Sequence, residues 1–187
     1  MHLMMTGRRA PWRQSIWLAV LAVLLVGATA TLLSSDRGCV ESTPDLDSMA
    51  WGQLWVDADG ADPVELPVRL AVTPAQRAAG MQHLCPDAVA ANPMLFVFSQ
   101  PQFVGFHMNN VHADLDIAFI GPDWHVIEVA RMVQGGGASS GARIRAALEV
   151  KAGDAERLGI APGTTLRLPD GAAASTAPRA VVTATVD

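Results

Sequence analysis

The sequence predicts an α+β domain, mostly antiparallel β, with a compact curled or barrel-like sheet and two short helices. Three observations carry this. Short apolar or alternating stretches recur between tight Gly/Pro/Asp turns, the signature of short paired strands. Only two segments, beginning near Thr73 and Asp154, have the caps of a helix, and both are brief. Half of the 187 residues are hydrophobic, enough for one core with extensions at its ends.

Residues 1–33 read as a signal peptide or an N-terminal membrane anchor. Arg8, Arg9 and Arg13 precede a charge-free apolar run from Ile16 to Leu33. Its strongest part suits a signal-peptide core, and Ala28-Thr29-Ala30 forms a small-residue cleavage pattern. As a helix, the eighteen residues would span about 27 Å, slightly short of a ~30 Å hydrocarbon core. Cleavage and anchoring both remain open, and the arginines keep the N-terminus cytoplasmic in either case. The expected location of the rest is extracytoplasmic: periplasmic and free, or membrane-tethered through the uncleaved segment. Residues 34–50 are polar, carry Pro44, and read as a linker. Residues 51–168 form the domain, and 169–187 read as a tail with a candidate edge strand from Ala180 to Val186.

Within the domain, Trp51–Val56 alternates loosely as a first strand, and Asp57–Asp62 reads as a hairpin tip. Val64, Leu66, Val68, Leu70 and Val72 then share one face of a second strand, where Pro67 implies an edge or a bulge. Thr73 caps a short helix with Pro74 at its first position, and Gly80 ends it. Met94–Phe98, between Pro93 and Pro101, is a continuous apolar strand, and Phe103–Met108 is another candidate. Leu115–Ile120, the turn Gly121-Pro122-Asp123 and Trp124–Ala130 form a hairpin, with Val126 and Ile127 expected inside. Gln134–Gly141 holds four glycines and two serines and reads as a mobile loop, a lid if it overlies residues 106–120. It lacks the ending of a phosphate-binding loop. Arg143–Val150 is a strand, Asp154–Leu158 a helical turn, and Gly163–Leu168 a final core strand.

Charge excludes one class of partner. All 18 acidic residues lie beyond Ala30, against ten basic ones, so that part carries a net −8. A net-acidic body without a basic stripe argues against nucleic acid, whose phosphates demand Lys and Arg.

Several blocks resemble a known family. They are Val68-Arg-Leu-Ala-Val-Thr-Pro-Ala-Gln-Arg-Ala-Ala-Gly-Met81, Met94-Leu-Phe-Val-Phe98, the segment Phe106–Ile120, and Leu148-Glu149-Val150 with Gly163. In this order they resemble domain-of-unknown-function family 192 of bacteria and archaea, over about residues 52–168. That family typically reads Phe-Trp-Met-Lys-Asn-Thr, a short gap, then Pro-Leu-Asp-Ile and an apolar residue before Phe. Phe106, Met108, Asn110, Leu115, Asp116, Ile117 and Phe119 match. His107 replaces the Trp, Asn109 the Lys, Val111 the Thr and Asp114 the Pro. Ala146 stands where the family often has Tyr. The resemblance implies a compact β-barrel-like fold, often exported. It supplies no established biochemical activity, and the departures mean that no activity needing the Lys or the Tyr is implied for this chain.

The polar residues at family-type positions are Arg77, Asn110, Asp116 and Glu149. With His107 they are the candidate ligand-binding residues. An inward-facing Asp116 would require a partner, and Arg77 on the first helix is the one expected. Asp116 and Glu149 would form an acid/base pair if they shared a cleft. His107, His112, Asp114 and His125 contain metal-ligand types but no two-His helical spacing, so no metal is assigned. No cofactor motif is present. Cys39 and Cys85 are the candidates for a disulfide in an exported protein, the alternative being free thiols. The leading functional expectation is an exported module that binds an unknown small ligand or envelope protein in a polar pocket beside residues 106–120. The alternatives are an envelope hydrolase using Asp116 and Glu149 and a His-based metal-binding protein. Whether the chain is an enzyme stays open.

Overall fold

The computed structural model describes residues 38–168. The expected signal or anchor segment, its cleavage site and the tail lie outside the described residues.

Nine strands and four short helices follow one another in this span. In order they are α1 (Pro44–Ser48), β1 (Ala50–Asp57), β2 (Val64–Ala71), α2 (Pro74–Ala79), α3 (Pro86–Ala91), β3 (Met94–Gln102), β4 (Gly105–His107), β5 (Leu115–Ile120), β6 (Val126–Met132), β7 (Gly137–Ser139), β8 (Ile144–Lys151), α4 (Asp154–Arg157) and β9 (Thr165–Arg167). Seven strands make one sheet in the order β6-β5-β8-β3-β2-β1-β9. All neighbours are antiparallel except β2 and β3, which run parallel across the connection that holds α2 and α3. A parallel pair needs such a crossover, whereas hairpins do not.

The sheet curls until its two edges meet. Thr165 of β9 bridges His125 at the start of β6. Val126 N–H donates to Thr164 O at 2.9 Å and Leu166 N–H to Trp124 O at 2.9 Å. Curling leaves a concave face fed by all seven strands. Leu54 and Val56 of β1, Leu66 and Val68 of β2, Leu95 of β3 and Ile120 of β5 meet there, joined by Val126 of β6, Leu148 of β8 and Leu166 of β9. The alternate residues of the same strands point the other way. Met94, Phe96 and Phe98 of β3 and Leu115, Ile117 and Phe119 of β5 form a second cluster with Leu46 of α1 and Val89 of α3. Strand β5 is therefore buried at every position, as its near-continuous apolar run requires.

Several expectations need correction. Residues 44–50, read as linker, form α1 and the start of β1, and Leu46 and Met49 are core residues. The compact unit begins at Cys39. The polar composition of 34–50 concealed this, because a five-residue helix needs only one buried side chain to dock. There are four short helices instead of two, since Pro86–Ala91 also folds as α3. Ile127 is 42 % exposed, while Val126 is buried. Adjacent residues of one strand point to opposite faces, and on β6 the face that Ile127 takes is not covered at that position. Pro67 sits in an interior strand, yet β3 pairs with β2 only from Arg69 to Ala71. The missing N–H therefore costs no bond to β3.

The Gly/Ser segment is strand β7. It pairs with β4 through Gly105–Ser139, Phe106–Ala138 and His107–Gly137. Ser140 N–H donates to Val104 O, and Val104 N–H returns a bond to Ser140 Oγ at 3.0 Å. The glycines have a steric purpose. A Cβ on Gly137 would stand 2.4 Å from the Phe106 carbonyl oxygen. Gly137→Ala is expected to cost about 1–3 kcal/mol by overpacking the ribbon, measured as a lower urea midpoint.

Cys39 and Cys85 are bonded, with Cα atoms 5.0 Å apart. The neighbouring backbone adds Val40 N–H to His83 O and Cys85 N–H to Val40 O, each at 2.8 Å. The bridge closes a loop of 46 residues, so Cys85→Ser or reduction is expected to lower stability by about 2–4 kcal/mol. Paired denaturation curves with and without reductant measure it.

Candidate functional site

Helix α2 is set by a capping box. Gln76 N–H donates to Thr73 Oγ1, and Thr73 N–H donates back to Gln76 Oε1. The buried Gln76 amide also reaches Ser48 of α1, which fixes α2 against the body. Arg77 then projects over β3. Its Nη1 donates to the carbonyls of Val72 at 2.5 Å and Val97 at 3.1 Å. Its guanidinium lies 5.4 Å from the centre of the Phe98 ring, a cation–π contact.

Beneath Arg77 is a cavity of about 190 Å³ between α2, β3, the β4–β7 ribbon and β8. Phe96, Phe98, Phe106 and Val111 supply apolar wall. Phe96 and Phe106 meet edge to face at 5.1 Å, and Phe106 touches Phe119 at 6.0 Å. Glu149 and His107 supply polar groups. His107 is exposed, at the rim.

Glu149 is the unusual member. On β8 it faces Met94 of β3 and Ile117 of β5, both core residues of the outer cluster. It is 5 % exposed, its carboxyl lines the cavity, and it joins none of the salt bridges among the described residues. Burial pushes its carboxyl from the ordinary 4.5 up to about 8, because an apolar wall disfavours the charged form.

Asp116 is elsewhere. It sits on the concave face, 4 % exposed, and pairs with Arg131, its partner across the β5–β6 hairpin. Arg131 Nε donates to Oδ1 at 2.5 Å, while Gly153 N–H donates to Oδ2 at 2.6 Å and Ala155 N–H at 3.4 Å. The hydrogen bond and the charge of Asp116 raise the Arg131 pKa further. The expected pair of Asp116 with Arg77 is therefore absent. The acid/base pair with Glu149 is absent too. Asp116 lies opposite Val150, and Ile117 lies opposite Glu149. A one-residue offset in an antiparallel ladder puts the two carboxyls on opposite faces. Counting outward from the Gly121–His125 turn would pair Asp116 with Ala130; the register shift between Phe119 and Ile120 brings Arg131 opposite it instead.

Asn110 lies beside the cavity. Its backbone is left-handed, with φ 58°, a conformation Asn tolerates. Its carbonyl accepts from His83 N–H at 2.7 Å, and its amide donates to Gln82, a cavity residue, at 3.3 Å. The metal-type residues do not assemble. Among the described residues no three His, Cys, Asp or Glu side chains are grouped to hold an ion. Asp114 is engaged with Gln134 N–H, and His125 with Asp123. The cavity thus unites Arg77, His107 and Glu149, with Asn110 as a support. The phenylalanines completing it, Phe96, Phe98 and Phe106, were visible only as strand residues.

The fold recurs in solved structures. One is a Sinorhizobium meliloti 1021 protein whose description assigns it provisionally to the transcription regulators. It is 29 % identical, with a TM-score of 0.58 over 65 % of this chain and 95 % of its own length. Another, from Novosphingobium aromaticivorans DSM 12444, is described as a protein of unknown function. It is 25 % identical, with a TM-score of 0.55 over 67 % of this chain and 98 % of its own. Among curated proteins none matches. The model of the family described as uncharacterized ACR matches residues 55–168. That stretch contains α2, both cavity strands, the β4–β7 ribbon and Glu149, and the chain accordingly belongs to domain-of-unknown-function family 192.

Proposed function

We propose that this protein is an extracytoplasmic binding module that takes a small ligand into the cavity under Arg77. The observation that supports it most is Glu149. A carboxyl held at the wall of an apolar cavity, its pKa raised by burial, costs free energy that folding alone has no reason to incur. An apolar pocket with a few convergent polar groups and one perturbed acid is the usual form of a ligand site. At about 190 Å³ it suits a small molecule, below the ~300–1,000 Å³ of drug-sized ligands.

The extracytoplasmic placement is supported by the arginine-led apolar run before residue 34 and by the Cys39–Cys85 bond, which persists in oxidising compartments. Among the described residues no helix is long and apolar enough to cross a membrane. The regulator-type description of the Sinorhizobium relative does not extend to nucleic acid here, given the net −8 beyond Ala30. The hydrolase alternative built on Asp116 and Glu149 finds its carboxyls on opposite faces.

The test is a thermal-shift screen of small polar molecules, run in parallel on the protein and on Glu149→Gln. Compounds that raise Tm by several degrees in the first and not in the second are expected. Hits that stabilise both equally would move the site away from Glu149 and overturn the proposal.

A further inference from the structure

We propose that the ligand of this cavity is a linear zwitterion, with a primary ammonium group seated against Glu149, an anionic group held at Arg77, and a short apolar chain between them. This rests on the reading of the cavity as a binding site and names the class of molecule it takes.

Two side chains of opposite sign line one cavity, and neither has a counter-charge among the described residues. Arg77 is held by two backbone carbonyls, which position it without neutralising it. Glu149 joins no salt bridge among the described residues. The two form no salt bridge with each other, and the backbone points that carry them are spaced apart along the sheet. Arg77 is tied to Val97, which faces Ala146. Ala146 precedes Glu149 by three residues on β8, about 10 Å at ~3.3 Å per residue. Charges on adjacent carbons, as in an α-amino acid, are too close to reach both ends. A chain of several methylenes reaches them.

The wall between the two ends fits that chain. Phe96 lies between Met94 and Phe98 on one face of β3, and Phe106 closes over it from the ribbon. Phenyl rings also favour a cation. A ligand carrying only a positive charge would leave Arg77 unanswered, and one carrying only a negative charge would enter an aromatic cavity that already holds an acid. A zwitterion satisfies both charged groups and brings no net charge into the apolar space. Because burial favours the protonated carboxyl in the empty cavity, seating an ammonium group there expels a proton to solvent. Arg77 and His107 are the other charged or titratable groups facing the cavity.

Titration calorimetry with 6-aminohexanoate, hexylamine and hexanoate on the purified protein at pH 7 tests this. 6-Aminohexanoate is expected to bind at least about tenfold more tightly than either single-charge analogue. Its enthalpy is expected to vary with buffer ionisation as proton release requires. Glu149→Gln is expected to lose at least about tenfold in affinity for 6-aminohexanoate and to lose the buffer dependence. Arg77→Gln is expected to weaken 6-aminohexanoate while leaving hexylamine unchanged, with a circular-dichroism melt confirming that each variant is folded. Hexanoate binding as tightly as the zwitterion would overturn the ligand class, as would unchanged affinity in Glu149→Gln or no binding of any of the three. The site itself falls only if the screen described above also finds no Glu149-dependent ligand, so the two failures are distinguishable.

Discussion

Glu149→Gln is expected to stabilise the protein at neutral and alkaline pH. In the unfolded chain the Glu149 carboxyl releases its proton near 4.5, and in the fold near 8. Between these values the folded state holds a proton that the unfolded state has given up. Stability therefore falls as pH rises through that window, by up to about 1.4 kcal/mol per pH unit. The contribution is fully present below about 4.5 and gone above about 8. Gln carries no such penalty, so the variant should overtake the wild type progressively from pH 5 to pH 8. Urea midpoints at four pH values measure this, and the difference between the two proteins cancels every other titrating group. A gain in stability joined to a loss of binding marks a residue retained for function. Parallel curves for the two proteins would mean that Glu149 is solvated and ordinary.

Asp116→Ala should do the opposite. The carboxylate accepts from the backbone at the start of α4, through Gly153 and Ala155, and truncation leaves those N–H groups without an acceptor. Each unsatisfied buried group costs about 1–3 kcal/mol. We expect a loss of about 2–4 kcal/mol, with Asp116→Asn less affected because its side-chain oxygen still accepts. The exposed Arg131 partner contributes little by itself, since solvent screens it. Ligand affinity in the cavity should be unchanged in whatever fraction remains folded, because Asp116 faces the other side of the sheet. Equilibrium unfolding and calorimetry on the same preparation separate the two effects. Weakened binding by a folded Asp116→Ala would contradict the assignment of its role.

These two carboxyls also mark how far the chain can be read unaided. Period-two alternation in Val64–Val72, the apolar run Leu115–Ile120, the Thr73-Pro74 cap and the Gly121-Pro122-Asp123 turn are local signals. Each was legible because it depends on residues a few positions apart. That Asp116 points away from its neighbours Leu115 and Ile117 was also legible; that its side is buried was not. Its partner is not legible in the same way, because a register shift between Phe119 and Ile120 is what brings Arg131 opposite Asp116. The ribbon was hidden differently. Gly135–Gly137 has the composition of a mobile loop, and only the closeness of Phe106 O to Gly137 explains why a side chain is excluded there.

By itself the sequence determined an α+β chain of short, mostly antiparallel strands, the cysteines available for a bridge, and the polar residues available for a site. Local propensity and alternation are properties of neighbouring residues, so they survive without the fold. Only the tertiary structure decided which face each strand turns to which partner. The register of β5 on β8, a contact between residues more than thirty positions apart, separates Asp116 from Glu149. It sends one carboxyl to hold α4 and leaves the other alone in a phenylalanine-lined cavity. A shift of one residue in that pairing would put both carboxyls on the same face, and nothing short-range in the chain specifies it.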